Sequence, residues 1–220
     1  MSREMFKSDS YFEDYITEQN KRIEKFKGAL ASFDGSDMQK IAQCERILAN
    51  LYKDLLSAKY SLGASKDEIV EIFELYIDSV INCSVSDYAD MVDILSLSVI
   101  LDINEEKLEP IIQNAEFDDG LVLSLKSYIV GKYEVSGKRL LYSDYYSPFY
   151  FYLKGEKKEA EILSYLENNW YDASDEFAWY DSHNSSENVY VGYWCWLGAA
   201  VLKMKSAIKI EGKYIPTELM

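Results

Sequence analysis

The sequence of 220 residues has few of the residues that organise several common classes of protein. Its 3 prolines and 10 glycines exclude collagen, proline-rich linkers and most folds that depend on many tight turns. One histidine and three scattered cysteines, Cys44, Cys83 and Cys195, do not fit a zinc site of the usual spacing. The odd number of widely spaced cysteines indicates reduced thiols in a cytosolic compartment. We therefore expect neither a metal nor another cofactor.

The chain also lacks a long apolar run and an apolar segment near residue 1. Its longest apolar stretch, residues 91–103, is interrupted by two aspartates and two serines and falls short of the ~18 residues that span a bilayer. Residues 1–15 contain no hydrophobic region of the secretory type. These features predict a cytoplasmic protein without a membrane partner, in which residues 91–103 form a buried helix.

Acidic side chains outnumber basic ones in one quarter of the sequence. The chain has 38 acidic and 23 basic residues and a net charge of −15, which disfavours nucleic acid and anionic membranes as partners and favours a basic protein. Residues 66–120 hold 15 acidic and 2 basic side chains. This segment alone therefore accounts for nearly the whole imbalance.

Four of the carboxylates in residues 67–78 are spaced by four, three and four residues, which places them along one face of a helix: Asp67, Glu71, Glu74 and Asp78. A second run continues on the next predicted helix. Such a face speeds the encounter with a basic partner and selects among partners, although a face that only keeps the protein soluble is the alternative. The predicted binding residues are Asp67, Glu68, Glu71, Glu74, Asp78, Asp87, Asp90 and Asp93.

Apolar residues recur at helical spacing through most of the chain, which predicts a mostly all-α, multi-helix bundle. A long N-terminal helical hairpin is expected, with a second helix that starts at Ser36 and ends at Gly63. Ser65 and Glu68 have the spacing of a capping box for the third helix. Ser86 is expected to cap the fourth.

Two regions are predicted along the chain. Residues 1–131 form an N-terminal helical region, and residues 132–220 form an aromatic-rich helical region packed against it. Within the second region, residues 132–154 fit a helix–turn–helix better than a strand pair, and residues 189–205 are expected to be the final long helix. The dense aromatic rings of this region are expected to fill a core, with a binding groove as the alternative.

Reactive side chains give only weak indications of catalysis. His183, Asp181 and Cys195 are residue types of a nucleophilic triad. Cys195, however, lies between Trp194 and Trp196 in an apolar segment, where a thiol is usually buried and inert. Phosphate-binding and dinucleotide-binding glycine patterns are absent. We predict that the protein is not an enzyme, although its many carboxylates leave a carboxylate-dependent hydrolase open.

The run WYDSHNSSENVYVGYWCWLGAAVLKM, residues 179–204, resembles the signature of the PoNi family. These are immunity proteins paired with polymorphic nuclease effectors of bacterial secretion systems. Residues 11–26 and 58–63 are also similar to the family, whereas Leu197 stands near a position where the family often has an acidic residue. The matching positions, which we expect to be structural, are Trp179, Tyr180, Ser182, His183, Tyr190, Gly192, Tyr193 and Trp194.

The resemblance implies a helical protein without catalytic activity that binds a toxic DNase in the bacterial cytoplasm. A DNase presents a basic surface to DNA phosphates, and an acidic face is suited to cover that surface. The resemblance, with which the acidic face agrees, therefore implies an immunity protein, a monomer or homodimer, that blocks the DNA-binding or catalytic face of a cognate toxin. A hydrolase and a general helical adaptor are the alternatives.

Overall fold

The structure, a computed structural model, describes residues 3–84, 87–114, 117–207, 210 and 212–220. These residues contain nine α-helices and no strand, which confirms the all-α prediction. Three short 3-10 helices complete the regular structure of the described chain. The α-helices are α1 (Asp9–Ala31), α2 (Met38–Leu62), α3 (Lys66–Cys83), α4 (Tyr88–Leu101), α5 (Glu105–Asn114), α6 (Gly120–Ile129), α7 (Ser143–Leu153), α8 (Glu159–Asn168) and α9 (Trp196–Met204).

The chain divides into two compact units. The first comprises Met1–Ser84 and Asp181–Gly192, and the second comprises Val85–Tyr180 and Tyr193–Met220. Helices α1–α3 belong to the first unit and α4–α9 to the second. The boundaries between these units follow residues 84, 180 and 192 and do not fall at residue 131. The two regions expected from the sequence remain a prediction.

The first unit contains the predicted helical hairpin. Gln19 Nε2 donates to the Leu51 carbonyl oxygen at 3.0 Å, and Cys44 Sγ donates to the Phe26 carbonyl oxygen at 3.3 Å. Residues late in α1 therefore meet residues early in α2, as in an antiparallel pair. Helix α3 packs against α2. The hairpin and α3 bury their apolar faces against one another, which supplies the main stabilisation of helices in a globular protein.

Local capping signals fix several of the helix ends. Gly63 adopts a left-handed conformation with φ of 103° and ends α2 as predicted. Helix α2 begins at Met38, two residues later than expected, and Asp37 is its N-cap residue. Asp87 is the N-cap of α4. The predicted cap Ser86 lies outside the described residues.

Helix α4 is largely buried within the second unit. Eleven of its 14 residues are buried, and it packs against α6 and α9. Its interior position agrees with the buried helix expected at residues 91–103. Lys203 of α9 donates from Nζ to the carbonyl oxygen of Ile100 at 2.8 Å. A charged side chain therefore hydrogen-bonds a backbone carbonyl group at the C-terminal end of this apolar helix.

Residues 132–140 form neither a strand pair nor a helix–turn–helix. Side chains from the flanking helices bind their backbone instead: Ser136 N donates to Ser124 Oγ at 3.0 Å, and Tyr150 Oη donates to the Lys138 carbonyl oxygen at 2.6 Å. These bonds satisfy polar backbone groups that a strand partner would otherwise have to satisfy. Only α7 in this region matches the helical expectation.

The prediction of a final long helix at residues 189–205 is also wrong, for the first half of that range. Residues 189–195 are irregular, and the helix begins at Trp196. Backbone N–H groups of this stretch donate to acceptors that are distant in the sequence. Tyr190 N donates to Tyr11 Oη at 3.0 Å within the first unit, and Cys195 N donates to the Tyr214 carbonyl oxygen at 2.8 Å within the second. Helical hydrogen bonding is thereby replaced by tertiary contacts.

Gly120→Ala is expected to lower the free energy of unfolding by about 1–3 kcal/mol, because a Cβ overpacks a filled site. That Cβ would collide with the Lys138 carbonyl oxygen and lie 2.5 Å from Tyr150 Oη. Gly28 of α1 is the matched control, since a Cβ there meets nothing within 4 Å. Urea unfolding should show Gly28→Ala gaining about 0.5–1 kcal/mol from helix propensity. Equal stability of the two variants would contradict the close packing at Gly120.

Candidate functional site

Helix α3 separates carboxylates from apolar side chains on opposite faces. Asp67, Glu71 and Asp78 are exposed and Glu74 is half-buried, as the spacing of these residues along one helix face predicts. The opposite face packs into the core of the first unit and holds Ile69, Phe73, Tyr76, Ile77 and Val80. Together with the adjacent Glu68, these four carboxylates are called the acidic face of α3.

Glu68 completes the capping box that the sequence predicts at the start of α3. Its Oε2 accepts from Ser65 N at 2.9 Å and from Ser65 Oγ at 3.0 Å, while Ser65 Oγ accepts from Glu68 N at 3.3 Å. The hydrogen bond from the Ser65 backbone, followed by that from its hydroxyl, lowers the pKa of Glu68. Glu68 therefore stays ionised into mild acid, and its charge has a structural role in addition to any role in binding.

Two exposed apolar side chains border the carboxylates on α3. Leu75 is 47% exposed and Ile81 is 37% exposed. Leu75 lies four residues after Glu71 and three before Asp78, so it shares their side of the helix. Protein interfaces commonly combine an apolar centre with a charged rim. Sequence analysis missed this feature, although the spacing of Leu75 from the carboxylates was its signal.

The three remaining predicted carboxylates belong to the second unit. Asp87 Oδ1 accepts from the backbone N–H groups of Ala89 and Asp90 at 2.8 and 3.1 Å, so this side chain caps α4. Asp90 and Asp93 are half-buried. Five of the eight predicted binding residues thus lie in the first unit and three in the second, and the binding role of all eight remains a prediction.

The motif residues at the end of the second unit are part of an aromatic cluster. Trp179 stacks on Trp170 with ring centroids 5.4 Å apart. Tyr171 lies 4.7 Å from the Tyr180 ring and 4.9 Å from the Tyr193 ring. Trp170 and Tyr193 are buried. These rings pack at the distances that aromatic pairs favour, and the structural role expected for the motif residues remains a prediction.

Other motif residues belong to the first unit. The His183 ring lies 4.4 Å from the Phe6 ring, and Tyr190 is fully buried. Ser182 begins a short 3-10 helix. Gly192 has a φ of 108°, a conformation that favours glycine. His183 and Tyr190 both contact the Phe6 ring in the N-terminal segment of the unit, and the structural role expected for these motif residues remains a prediction.

Cys195 does not have the environment of a nucleophile. Its thiol is buried, and Sγ accepts from Gly198 N at 3.3 Å. Burial raises the pKa of the Cys195 thiol, whereas a nucleophilic cysteine requires a lowered pKa. His183 and Asp181, whose Nδ1 and Oδ1 atoms lie 3.8 Å apart, both belong to the first unit, whereas Cys195 belongs to the second. Trp194, which precedes the thiol, is half-buried.

Among the residues that the structure describes, no group of three or more histidine, cysteine, aspartate or glutamate side chains is arranged to hold a metal ion. In the same residues, every helix is too short or too polar to cross a membrane.

Comparisons with known proteins identify one family across nearly the whole chain. The model of the N-terminal part of PoNe immunity proteins (PoNi) matches residues 3–113. The model of the C-terminal part of the same proteins matches residues 117–209. No curated protein and no solved structure was found to match.

Proposed function

This chain belongs to the family of PoNe immunity proteins (PoNi), and from that membership we propose that it neutralises a cognate DNase toxin by binding it through the acidic face of α3. The protein acts in the bacterial cytoplasm, without catalysis, as a monomer or homodimer. Its partner is the basic surface with which the toxin holds DNA or the catalytic face beside it. Neither nucleic acid nor a membrane is a partner.

The charge of α3 is the observation that carries this proposal. The helix contains five carboxylates and one basic residue, Lys66, whereas α1 contains five carboxylates and four basic residues. A solvent-facing helix usually mixes the two signs. The concentration of one sign on exposed positions favours electrostatic recognition of a positively charged protein.

A DNase surface supplies the charge that this face requires. Lysine and arginine side chains of a DNA-binding protein neutralise backbone phosphates and provide most of its non-specific affinity. Carboxylates that bind those lysine and arginine side chains compete directly with DNA. Exposed Leu75 and Ile81 add apolar area at the border of the charges, which contributes affinity that charge alone does not provide.

Co-expression with the cognate nuclease domain tests the proposal. Cells that produce both proteins are expected to grow, and cells that produce the nuclease alone are expected to die with degraded DNA. The two proteins should purify together as a 1:1 complex. A nuclease of unrelated family, expressed at the same level, is the control and should remain toxic. Death at an unchanged rate in the presence of this protein would contradict the proposal.

A further inference from the structure

A groove of about 650 Å³ is formed by residues of the second unit, whereas the acidic face of α3 belongs to the first unit. Three stretches form it: residues 87–89 at the start of α4, residues 141–146 at the start of α7, and residues 173–177. Its volume falls in the range of sites that bury a bound side chain or small ligand. The family match does not by itself assign any function to this groove.

A continuous series of aromatic rings forms one wall of the groove. The ring of Tyr88 lies 4.8 Å from that of Tyr142 and 5.2 Å from that of Tyr146. Tyr145 extends the series, with its ring 4.8 Å from Tyr146 and 4.7 Å from Phe177. Tyr142 is 57% exposed, so part of the wall is open to an incoming group. Such ring faces carry negative electrostatic potential and attract cations.

The charged lining of the groove has one sign. Asp87, Asp144, Asp175 and Glu176 contribute carboxylates, and all four are exposed. No lysine, arginine or histidine is among the described residues that line it. A cation in this groove would therefore meet ring faces and carboxylates together, with no repulsion from the lining itself.

Hydrogen bonds to a buried carboxylate hold the groove in shape before anything binds. Asp119, which is 0% exposed, accepts from Tyr88 Oη at 3.0 Å through Oδ1 and from Leu141 N at 2.7 Å through Oδ2. One carboxylate therefore fixes two of the stretches that line the groove. A site that is already ordered loses less entropy when its ligand binds.

We infer that this groove receives an arginine side chain of the cognate nuclease. The inference rests on the proposed function and adds a second contact point to it. Arginine fits this lining better than lysine because its planar guanidinium stacks on aromatic rings and binds carboxylates through two parallel N–H groups. The exposed Tyr142 ring offers the stacking surface, and Asp175 and Glu176 offer the carboxylates.

A triple variant that keeps side-chain size tests the inference: Asp144→Asn, Asp175→Asn and Glu176→Gln. Its matched control is Glu105→Gln, Glu109→Gln and Glu134→Gln, which removes three exposed carboxylates elsewhere in the second unit. Calorimetry with the purified nuclease should show the groove variant binding at least about tenfold more weakly than the control. Tyr142→Ala, which keeps every charge, should weaken binding about three- to tenfold.

The outcomes separate this inference from the proposed function. If wild-type protein does not bind the nuclease, the proposed function is contradicted. If wild type binds, and both the groove variant and Tyr142→Ala bind like the control, the inference alone is overturned. Sedimentation of the free protein tests whether a second copy of the chain occupies the groove. Self-association that the groove variant abolishes would assign the groove to a second copy of the chain and would also overturn the inference.

Discussion

Replacement of Asp67, Glu71 and Asp78 by lysine is expected to abolish protection against the cognate nuclease and to leave the fold intact. All three side chains are exposed, so the substitutions do not disturb the core. They convert a face that attracts a basic surface into one that repels it. Like charges brought together at an interface cost several kcal/mol, and a loss of about 4 kcal/mol weakens binding roughly a thousandfold. Growth of co-expressing cells measures protection.

A matched reversal on α1 separates the position of the charges from their number. Asp9, Glu13 and Glu18 are exposed, and their replacement by lysine changes the net charge by the same amount. This variant should still protect. Circular dichroism should give wild-type helix content for both variants. Protection by the α3 variant, or its loss in both variants alike, would contradict recognition through the acidic face of α3.

Asp119→Ala is expected to lower the free energy of unfolding by about 3–5 kcal/mol, because it leaves several buried donors without a partner. The carboxylate is fully buried. It accepts from the backbone N–H groups of Leu121 and Val122 as the N-cap of α6, and from Tyr88 Oη and Leu141 N. Burial, followed by the nearby charge of Asp119, raises the pKa of Tyr88, which keeps this phenol a hydrogen-bond donor.

Asp119→Asn is the conservative control for this site. Asparagine keeps the size of the side chain and one acceptor oxygen, so the bonds to the α6 N-terminus and Tyr88 remain possible. Its amide group, however, cannot accept from Leu141 N, which now bonds to Oδ2. Urea unfolding should place this variant between wild type and Asp119→Ala. A loss of less than about 1 kcal/mol for the alanine variant would contradict the anchoring role.

Elements with local signals were predictable from the sequence. The third helix follows from the apolar spacing and from the pair Ser65 and Glu68, because a capping box requires only residues three apart in the chain. Gly63 ends α2 for a similar reason. The irregular stretches 132–140 and 189–195 were not predictable, because their backbone groups bond to side chains and carbonyls far along the chain.

The candidate sites show the same division. A helix has fixed geometry, so the spacing of Asp67, Glu71 and Asp78 placed them together on the exposed side of α3. The groove could not be predicted from the sequence, because three stretches that are separate in the chain form it. Asp119 was counted with the charges of the acidic segment, yet it is buried and serves as a structural acceptor. Burial of a carboxylate depends on tertiary packing that residue spacing does not report.

Stopped-flow association of the purified protein with its cognate nuclease, measured across ionic strength, tests electrostatic recognition most directly. Between about 0.01 M and about 0.15 M salt, the association rate constant of wild type should fall by at least about tenfold, because counterions screen exposed charges. The variant with lysine at positions 67, 71 and 78 presents a repelling face, so its association rate constant should rise over this range instead of falling, because salt screens repulsion as well. An association rate of wild type that does not change with salt would contradict the account.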